Sequence, residues 1–443
     1  MAVNRFSLFA LCGLLIVSGC GGENSQPEKS EQPVKKTIAE KTLSVEVPQK
    51  KKPAKPPLDQ RLYGGVKLAE WPARIKNLDP RGAQAQQAVP GLVAIIADED
   101  VPNQLRHYAA ITIGQMKAVG QPAVPVFIQL LKKHGTSNTE ASRLISAWSI
   151  RSLALLGPVA KEATPHLNKL LFDSSRTILI RAACLEALAQ IGSANPQAVH
   201  SLIRMLSHRF SSKVTRTDAN LLRGYTLDGI ALVGSPASAG IRSVIRLSQN
   251  SNEDIRRKAA TALGSMGLAG QDALAPLAEM VAFDDSPAVR DAAAAALAKL
   301  GEIALPVMRK LLTDDEATVR ARMAKSLGSM GKTAKAALDD LDYALDDDDG
   351  WVRLNAAEAI WLITGKTGSV VPALIEELKN PKRRIRFKTY QLFQKLGPKA
   401  RSAIEPLKKL LTDERAYVRA AAAKVLRTLE VSESPTNQSS AVD

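Results

Sequence analysis

The sequence predicts an all-α fold, an α-solenoid (superhelix) built from about ten helix-turn-helix repeats. Three observations lead to this prediction. Hydrophobic residues make up 45% of the chain but aromatic residues only 4%, so the apolar content is mostly Ala, Leu, Val and Ile, which suit close helix packing. A helical motif recurs at nearly regular intervals, and a second helical pattern precedes each copy. At 443 residues, the chain would otherwise suggest two or three compact domains.

The N-terminal residues read as a secretion signal. MAVNRFSLFALCGLLIVSGC holds Arg5 and then an apolar run, which at about a dozen residues is too short to span a bilayer core. Val17-Ser18-Gly19 before Cys20 resembles the lipobox of bacterial lipoproteins. The resemblance implies a signal peptide over residues 1–19 and a lipid on Cys20. The protein would then be lipid-anchored in a bacterial cell envelope, on the periplasmic or outer face of a membrane, although an uncleaved anchor or an incidental cysteine stays open.

Two segments lack the apolar residues that would offset the entropy cost of ordering. Residues 20–66 comprise the lipidated cysteine and a Lys/Pro-rich stretch, most biased at QKKKPAKPP, and we interpret them as a disordered tether. Residues 431–443 are mostly polar and are interpreted as a disordered tail. The array is expected to occupy residues 67–430.

The repeat motif is clearest in TVRARMAKSLGSMG, which begins at Thr318 and recurs as DIRRKAATALGSMG, AVRDAAAAALAKLG and RIRFKTYQLFQKLG. Its arginine position, called here the frame position, is held by Arg106, Arg181, Arg223, Arg256, Arg290, Arg320, Arg353, Arg386 and Arg419, with Ser146 in register for the copy that lacks it. Successive frame positions are 30 to 42 residues apart, a spacing typical of stacked repeats.

Each frame position begins the second helix of a unit, and patterns such as ALPVMRKLLTDD, from Ala304, supply the first helix. No such unit can bury its apolar face alone, so neighbouring units must share one continuous core. The stretch LAEWPARIKNLDP, from Leu68, precedes the first unit and is expected to form a capping helix, with Trp71 covering the exposed end of the core.

These repeats resemble HEAT repeats, in particular the short subtype of phycobilisome lyase-like proteins. The resemblance covers roughly residues 67–430 and implies the α-solenoid fold. A hallmark of the subtype is an aspartate six residues before the frame arginine, and this sequence has Asp100, Asp284, Asp314, Asp347 and Asp413, with Asn250 and Asn380 in its place elsewhere. The resemblance implies that these residues form an arginine–aspartate ladder between neighbouring repeats.

Residues that carry chemistry are scarce. Some HEAT-like enzymes bind iron through His-Glu dipeptides, but no histidine here is followed by glutamate. The sequence GKT at 331–333 and 365–367 lacks the earlier glycine of a phosphate-binding loop. Cys184 stands where other repeats have alanine or methionine and is interpreted as a core residue. We expect no metal, no cofactor and no catalysis; the alternative is a lyase-like enzyme or enzyme subunit of the phycobilisome lyase HEAT-like group.

The family arrangement implies that the second helices line a concave groove, with positions two, five and nine after the frame position facing it. The candidate partner-binding residues there are Tyr108, Trp148, Arg151 and Tyr225 in the first half and Lys258, Arg322, Lys325, Lys388 and Lys395 in the second half. The alternative is that the aromatic side chains fill gaps between units and the lysines are merely solvated.

Net charge of +16 suggests anionic partners. We expect a protein partner, acidic or extended, that binds to a membrane-anchored scaffold. The N-terminal lipid would insert into the membrane. Nucleic acid is disfavoured because the predicted export removes the protein from that ligand. The oligomeric state stays open.

Overall fold

The computed structural model describes residues 55–192 and 194–431. The predicted signal peptide, Cys20, the tether up to residue 54 and the tail from residue 432 lie outside the described residues. In the part of the chain that is described, no helix combines the length and apolarity needed to cross a membrane.

The described residues form ten helix-turn-helix repeats, so the predicted all-α solenoid is confirmed. The first helices of repeats 1 to 10 are α2 (Ala85–Ala97), α4 (Val124–His134), α6 (Thr164–Phe172), α8 (Pro196–Leu206), α10 (Ile241–Leu247), α12 (Leu274–Phe283), α14 (Leu305–Leu311), α16 (Leu338–Tyr343), α18 (Val370–Leu378) and α20 (Ile404–Leu410). The second helices are α3 (Asn103–Gln115), α5 (Glu140–Leu156), α7 (Ile178–Gly192), α9 (Arg216–Val233), α11 (Glu253–Gly264), α13 (Pro287–Leu300), α15 (Ala317–Met330), α17 (Gly350–Thr364), α19 (Arg383–Leu396) and α21 (Ala416–Val431).

Short 3-10 segments lead from most second helices into the next repeat. They are Lys117–Ala123, Gly157–Ala163, Ser235–Gly240, Gly267–Ala273, Gly301–Ala304, Gly331–Ala337 and Gly397–Ala403, and a further segment, Ala344–Asp346, lies within repeat 8. The glycine at the end of a second helix commonly has positive φ; Gly331 has φ 57° and ψ −136°. That region is open to glycine almost alone, which explains why the motif closes on this residue.

A small N-terminal cap precedes repeat 1. Strands β1 (Leu62–Tyr63) and β2 (Val66–Lys67) form an antiparallel hairpin, flanked by 3-10 segments Leu58–Gln60 and Leu68–Glu70 and followed by helix α1 (Trp71–Asn77). Tyr63 is buried, so the folded part of the chain includes residues before position 67, where the sequence pattern placed the start of the array. The Lys/Pro-rich composition of the preceding residues led the sequence pattern to place this folded segment in the tether.

Trp71 anchors this cap on the first repeat. Its indole is 2% exposed, and Nε1 donates a hydrogen bond of 3.2 Å to the carbonyl oxygen of Tyr63. The indole lies directly on the backbone of α2, because a Cβ added at Gly91 would come within 2.1 Å of Trp71. Arg61 donates to Asp98 at 2.8 Å and to Asp100 at 2.6 Å, so the cap supplies repeat 1 with the guanidinium that a preceding repeat would provide.

The array has a tightly packed layer and a looser one. Second helices pack closely on the second helices of adjacent repeats, whereas first helices contact one another much less. Small residues allow the close approach: a Cβ at Gly264 would lie 2.6 Å from Ala296 Cα, and one at Gly328 would lie 2.9 Å from Ala359 Cα. The exposed side of the second helices, which the family resemblance implies lines the groove, is called here the inner face.

Two rungs of the predicted ladder are present in the second half. Arg256 makes a bidentate pair with Asp284 at 2.7 and 2.9 Å, and Arg320 pairs with Asp347 in the same way at 2.6 and 2.8 Å. The remaining Nη1 of Arg320 donates to the backbone oxygens of Asp314 and Asp315. Partial burial acts to raise the pKa of Asp347, but the hydrogen bonds from Arg320 outweigh it and the pKa lies below its ordinary value. One guanidinium therefore fixes its own turn and the next repeat together.

Asp413 pairs instead with Arg415 of its own turn at 2.9 Å. Nε of Arg290, the frame arginine before Asp314, is buried without a hydrogen-bond partner among the described residues.

Candidate functional site on the inner face

The inner face carries the predicted positions as expected, with one exception. Positions two, five and nine after the frame position are exposed or partly exposed in all ten repeats except at Trp148. Tyr108 is 52% exposed and stacks on His107. Arg151 and Tyr225 are half-buried, and Tyr225 packs against the core. The register of the second helices was thus correct, but exposure alone does not make a binding site.

Trp148 does not line the inner face. Its side chain is 6% exposed and packs edge-on against Phe127 with ring centroids 6.5 Å apart. The guanidinium of Arg106 lies 5.8 Å from the Trp148 ring centroid. Because repeat 2 lacks a ladder aspartate, this aromatic ring takes the position of the acidic partner, and cation–π attraction replaces the ion pair. The prediction that Trp148 binds a partner is therefore corrected.

Aromatic rings lie against three further frame arginines; in repeat 10 this occurs although Asp413 is present, because Asp413 pairs with Arg415. Arg181 and Arg223 lie on the ring of Phe210 at 5.8 and 5.3 Å, and Arg386 lies 4.4 Å from the ring centroid of Tyr417. Phe210 belongs to the longer turn of repeat 4, between α8 and α9. Phe210 therefore has a structural role, whereas Tyr417 keeps 36% of its surface exposed.

Repeat 2 also receives its missing guanidinium from a neighbour. Ser146 holds the frame position there, and Arg176 from the turn of repeat 3 donates to the backbone oxygens of Gly135 at 3.0 Å and Ser137 at 3.2 Å. These carbonyls lie in the turn of repeat 2, where the frame arginine would bind in other repeats. The side chain of Arg176 is only 8% exposed, which matches a structural role.

Most of the predicted basic residues of the second half are paired with acids of the preceding repeat. Lys258 Nζ lies 2.8 Å from Asp228, and Arg322 Nε lies 2.7 Å from Asp291. Such pairs reduce the field available to an outside anion, because their charges largely cancel at a distance. Lys325 is exposed on the inner face of repeat 7.

Glu358 is bound by two predicted lysines at once. Lys388 Nζ lies 2.7 Å and Lys395 Nζ 2.6 Å from its carboxylate oxygens. Burial acts to raise the pKa of Glu358, but the hydrogen bonds from the two lysines outweigh it and hold the pKa below its ordinary value. Two cations share one anion here, so this part of the inner face keeps an excess positive charge.

A further exposed row, which the predicted positions do not include, lies two residues before the frame position. All ten residues in this register are exposed. In repeats 2, 3 and 4 they are Leu144, Leu179 and Leu221, exposed by 39, 42 and 41%, and these three are called here the leucine row. Helix periodicity could have identified this register, because a residue seven positions before position five lies on the same helix face.

Repeats 5 to 7 interrupt the apolar character of this register, and repeats 8 and 10 restore it. The residues in the middle repeats are Asp254, Ala288 and Thr318, and those in the last three are Trp351, Arg384 and Tyr417. Equivalent positions on adjacent helices are about 10 Å apart. The inner face therefore has two regions with large exposed apolar side chains, separated by three repeats with small or polar ones.

No catalytic arrangement emerges from the described part of the chain. Cys184 is fully buried, and burial raises the pKa of its thiol far above the ordinary value, so the thiol is unreactive. Over residues 55–192 and 194–431, no group of three or more His, Cys, Asp or Glu side chains could hold a metal ion. The geometry of the inner face suits binding by contact area and charge.

Comparison with known proteins gives the same architecture. The family model described as HEAT repeats matches residues 212–298, 281–361 and 341–427, and the model described as PBS lyase HEAT-like repeat matches residues 180–208. No curated protein matches the chain in sequence.

Among solved structures, Kap121p aligns with 16% identity and a TM-score of 0.48, over 82% of this chain and 42% of that one. Importin beta aligns with 12% identity and a TM-score of 0.46, over 83% of this chain and 54% of that one. The karyopherin Kap121p bound to the SUMO protease Ulp1p aligns with 14% identity and a TM-score of 0.42, over 81% and 43%. The chain thus matches about half the length of these proteins.

Proposed function

Because this chain is a HEAT-repeat protein, we propose that it is a non-catalytic scaffold, anchored to a membrane through a lipid on Cys20, that binds a protein partner along its inner face. The observation that carries the proposal is the leucine row. Three leucines occupy equivalent exposed positions on three consecutive helices, with Tyr108 exposed one repeat earlier. A solenoid can extend such a row along a continuous surface, and extended inner surfaces are the usual binding surfaces of repeat proteins.

The leucine row has the composition of a protein-binding surface. Clustered exposed apolar side chains are uncommon on monomeric proteins and mark interaction sites. Polar and charged residues border the row, including Arg151, Glu186 and Asp228 on the same helices. An apolar centre with a polar rim is the usual anatomy of an interface between proteins. The match to the PBS lyase HEAT-like repeat covers a single repeat and indicates the fold of that repeat, not an activity. We therefore propose a scaffold and not an enzyme.

Changing the row to Leu144→Asp, Leu179→Asp and Leu221→Asp should reduce partner capture at least about tenfold, because desolvated carboxylates oppose an apolar contact. Capture would be measured by quantitative mass spectrometry after crosslinking and affinity purification from cells of the source organism. A photo-crosslinking residue at position 179 should form an adduct with the same partner.

The matched control is Leu268→Asp with Phe283→Asp. These side chains are 79 and 80% exposed, but they lie in a 3-10 segment and at the end of a first helix, away from the leucine row. Capture should be retained in this control. Equal capture by the triple variant and the wild type would contradict the proposed surface.

For the anchor, Cys20→Ser should move the protein from the membrane fraction to the soluble fraction, since the thiol that would carry the acyl chains is removed. Fractionation followed by immunoblotting measures this, with Cys12→Ser as the control because that residue lies in the segment predicted to be removed. Persistence of the Cys20→Ser protein in membranes would contradict lipid anchoring at this residue.

A further inference from the structure

We propose that the inner face of repeats 8 to 10 binds an acidic peptide segment that carries apolar side chains. This inference rests on the proposed function and names the partner class for a second region of the same face. The region consists of Trp351, Leu362, Arg384, Phe387 and Tyr417, and is called here the C-terminal patch.

Repeats 9 and 10 carry much of the positive charge of the chain, whereas repeat 8, which holds Trp351 and Leu362, is acidic. Residues 379–427 contain fifteen lysines and arginines against three acidic residues, a net charge of +12, whereas the whole chain carries +16. Some of these cations are paired within the chain, but the pairs on the inner face leave positive charge over. Lys388 and Lys395 share the single carboxylate of Glu358, and Arg384 is exposed on the inner face.

The patch is also apolar, which distinguishes it from a simple cationic surface. Trp351, Leu362, Phe387 and Tyr417 are exposed by 37, 48, 56 and 36%. Phe387 directly follows frame residue Arg386 and is the most exposed of these four side chains. Leu362 and Phe387 have no polar edge, so they favour an apolar side chain as their contact.

The arrangement alternates along the array. At the register two residues before the frame position, Arg384 stands between Trp351 of repeat 8 and Tyr417 of repeat 10. With about 10 Å between adjacent helices, the three side chains offer an apolar, a cationic and an apolar contact in order. A peptide with alternating acidic and apolar side chains can match this order, and aromatic and arginine side chains are the usual anchors of such interfaces.

Nucleic acid, another anionic partner, fits the patch less well. A nucleic acid would use the cations through its phosphates but would leave the aliphatic Leu362 without a suitable contact. The favoured occupant is therefore an acidic protein segment.

The binding assay is fluorescence anisotropy with the purified full chain and a fluorescein-labelled peptide of three EELFE copies. We expect saturable binding that weakens as salt increases. Peptides of KKLFK copies and of EESSE copies should bind at least about tenfold more weakly, because each lacks one of the two kinds of contact. Single-stranded DNA and vesicles containing phosphatidylglycerol are competitors that should not displace EELFE.

Three variants locate the site. Lys424 is exposed on the inner face five positions after the frame position of repeat 10. Arg384→Glu with Lys424→Glu, and separately Phe387→Ala with Leu362→Ala, should each weaken EELFE binding about tenfold. The charge-matched control, Lys399→Glu with Lys409→Glu, changes exposed cations outside the second helices and should have less than about a twofold effect. Circular dichroism spectra of all variants should equal that of the wild type, which separates lost binding from lost folding.

The inference would be overturned if EESSE or DNA bound as tightly as EELFE, or if the control pair weakened binding as much as Arg384→Glu with Lys424→Glu. These outcomes would describe a general polyanion surface. They leave the leucine row untouched, because the capture experiment with Leu144, Leu179 and Leu221 uses repeats 2 to 4. Loss of capture there together with no EELFE binding here would reject only the C-terminal patch.

Discussion

Replacing Arg353 with methionine should lower the free energy of unfolding by about 3 to 5 kcal/mol, because it leaves a buried carboxylate without its cation. Glu377 is 2% exposed and makes a salt bridge to Arg353 across the junction between repeats 8 and 9. Its other oxygen accepts a hydrogen bond of 2.8 Å from Asn380, which cannot replace the lost charge. Arg353 also donates to the Asp348 carbonyl at 3.1 Å, so the turn of repeat 8 loses a donor as well.

Urea denaturation followed by circular dichroism measures the loss, and hydrogen–deuterium exchange should place it in repeats 8 and 9. The control is Arg353→Met combined with Glu377→Met, which removes both charges. This double variant should be more stable than the single variant, since the cost of the single change is mainly the uncompensated charge. A double variant less stable than Arg353→Met alone would show that the pair itself, and not the isolated carboxylate, dominates.

Trp71→Ala should destabilise the N-terminal end of the array by about 3 to 5 kcal/mol, the range for deleting a fully buried large aromatic side chain. The change removes the indole that covers Gly91 and also the donor to the Tyr63 carbonyl. Because each repeat contacts only its neighbours, the loss should appear as faster hydrogen exchange in the cap and repeat 1, with repeats 8 to 10 unchanged.

Trp351→Ala provides the matched comparison. This tryptophan is 37% exposed on the inner face, so less of its surface is buried and its removal should cost at least about 1 kcal/mol less than the removal of Trp71. The two variants would therefore separate a tryptophan that stabilises the fold from one that we assign to binding. Similar stability losses in both variants, or exchange spread evenly over the array after Trp71→Ala, would contradict the cap as a local structure.

The charged residues of the inner face could be located from the sequence, but their ion-pair partners could not. The spacing of the frame arginines correctly located Lys258, Arg322 and Lys388 on second helices, since helix periodicity fixes which residues share a face. Periodicity does not show whether these cations are paired within the chain or can bind a partner. Each lies beside an acid about thirty residues earlier in the chain, and that neighbour depends on how one repeat is rotated against the next.

The aromatic residues show the same division. Tyr108 and Trp148 both stand two residues after a frame position, yet one is 52% exposed and the other 6%. The difference arises from Arg106 and Phe127, which enclose Trp148 in a repeat that lacks the usual ladder residues. The leucine row, by contrast, lies in a register that periodicity could have identified.

By itself, the sequence determined the all-α class, the number of repeats and the register of every second helix, because these depend on the periodic placement of apolar, small and glycine residues along one chain. Only the tertiary structure decided which aromatic rings are buried, which cations are already paired and that Arg176 serves the turn of repeat 2. Those properties depend on contacts between repeats. Such contacts join residues that are far apart in sequence, and no local pattern encodes the rotation that brings them together.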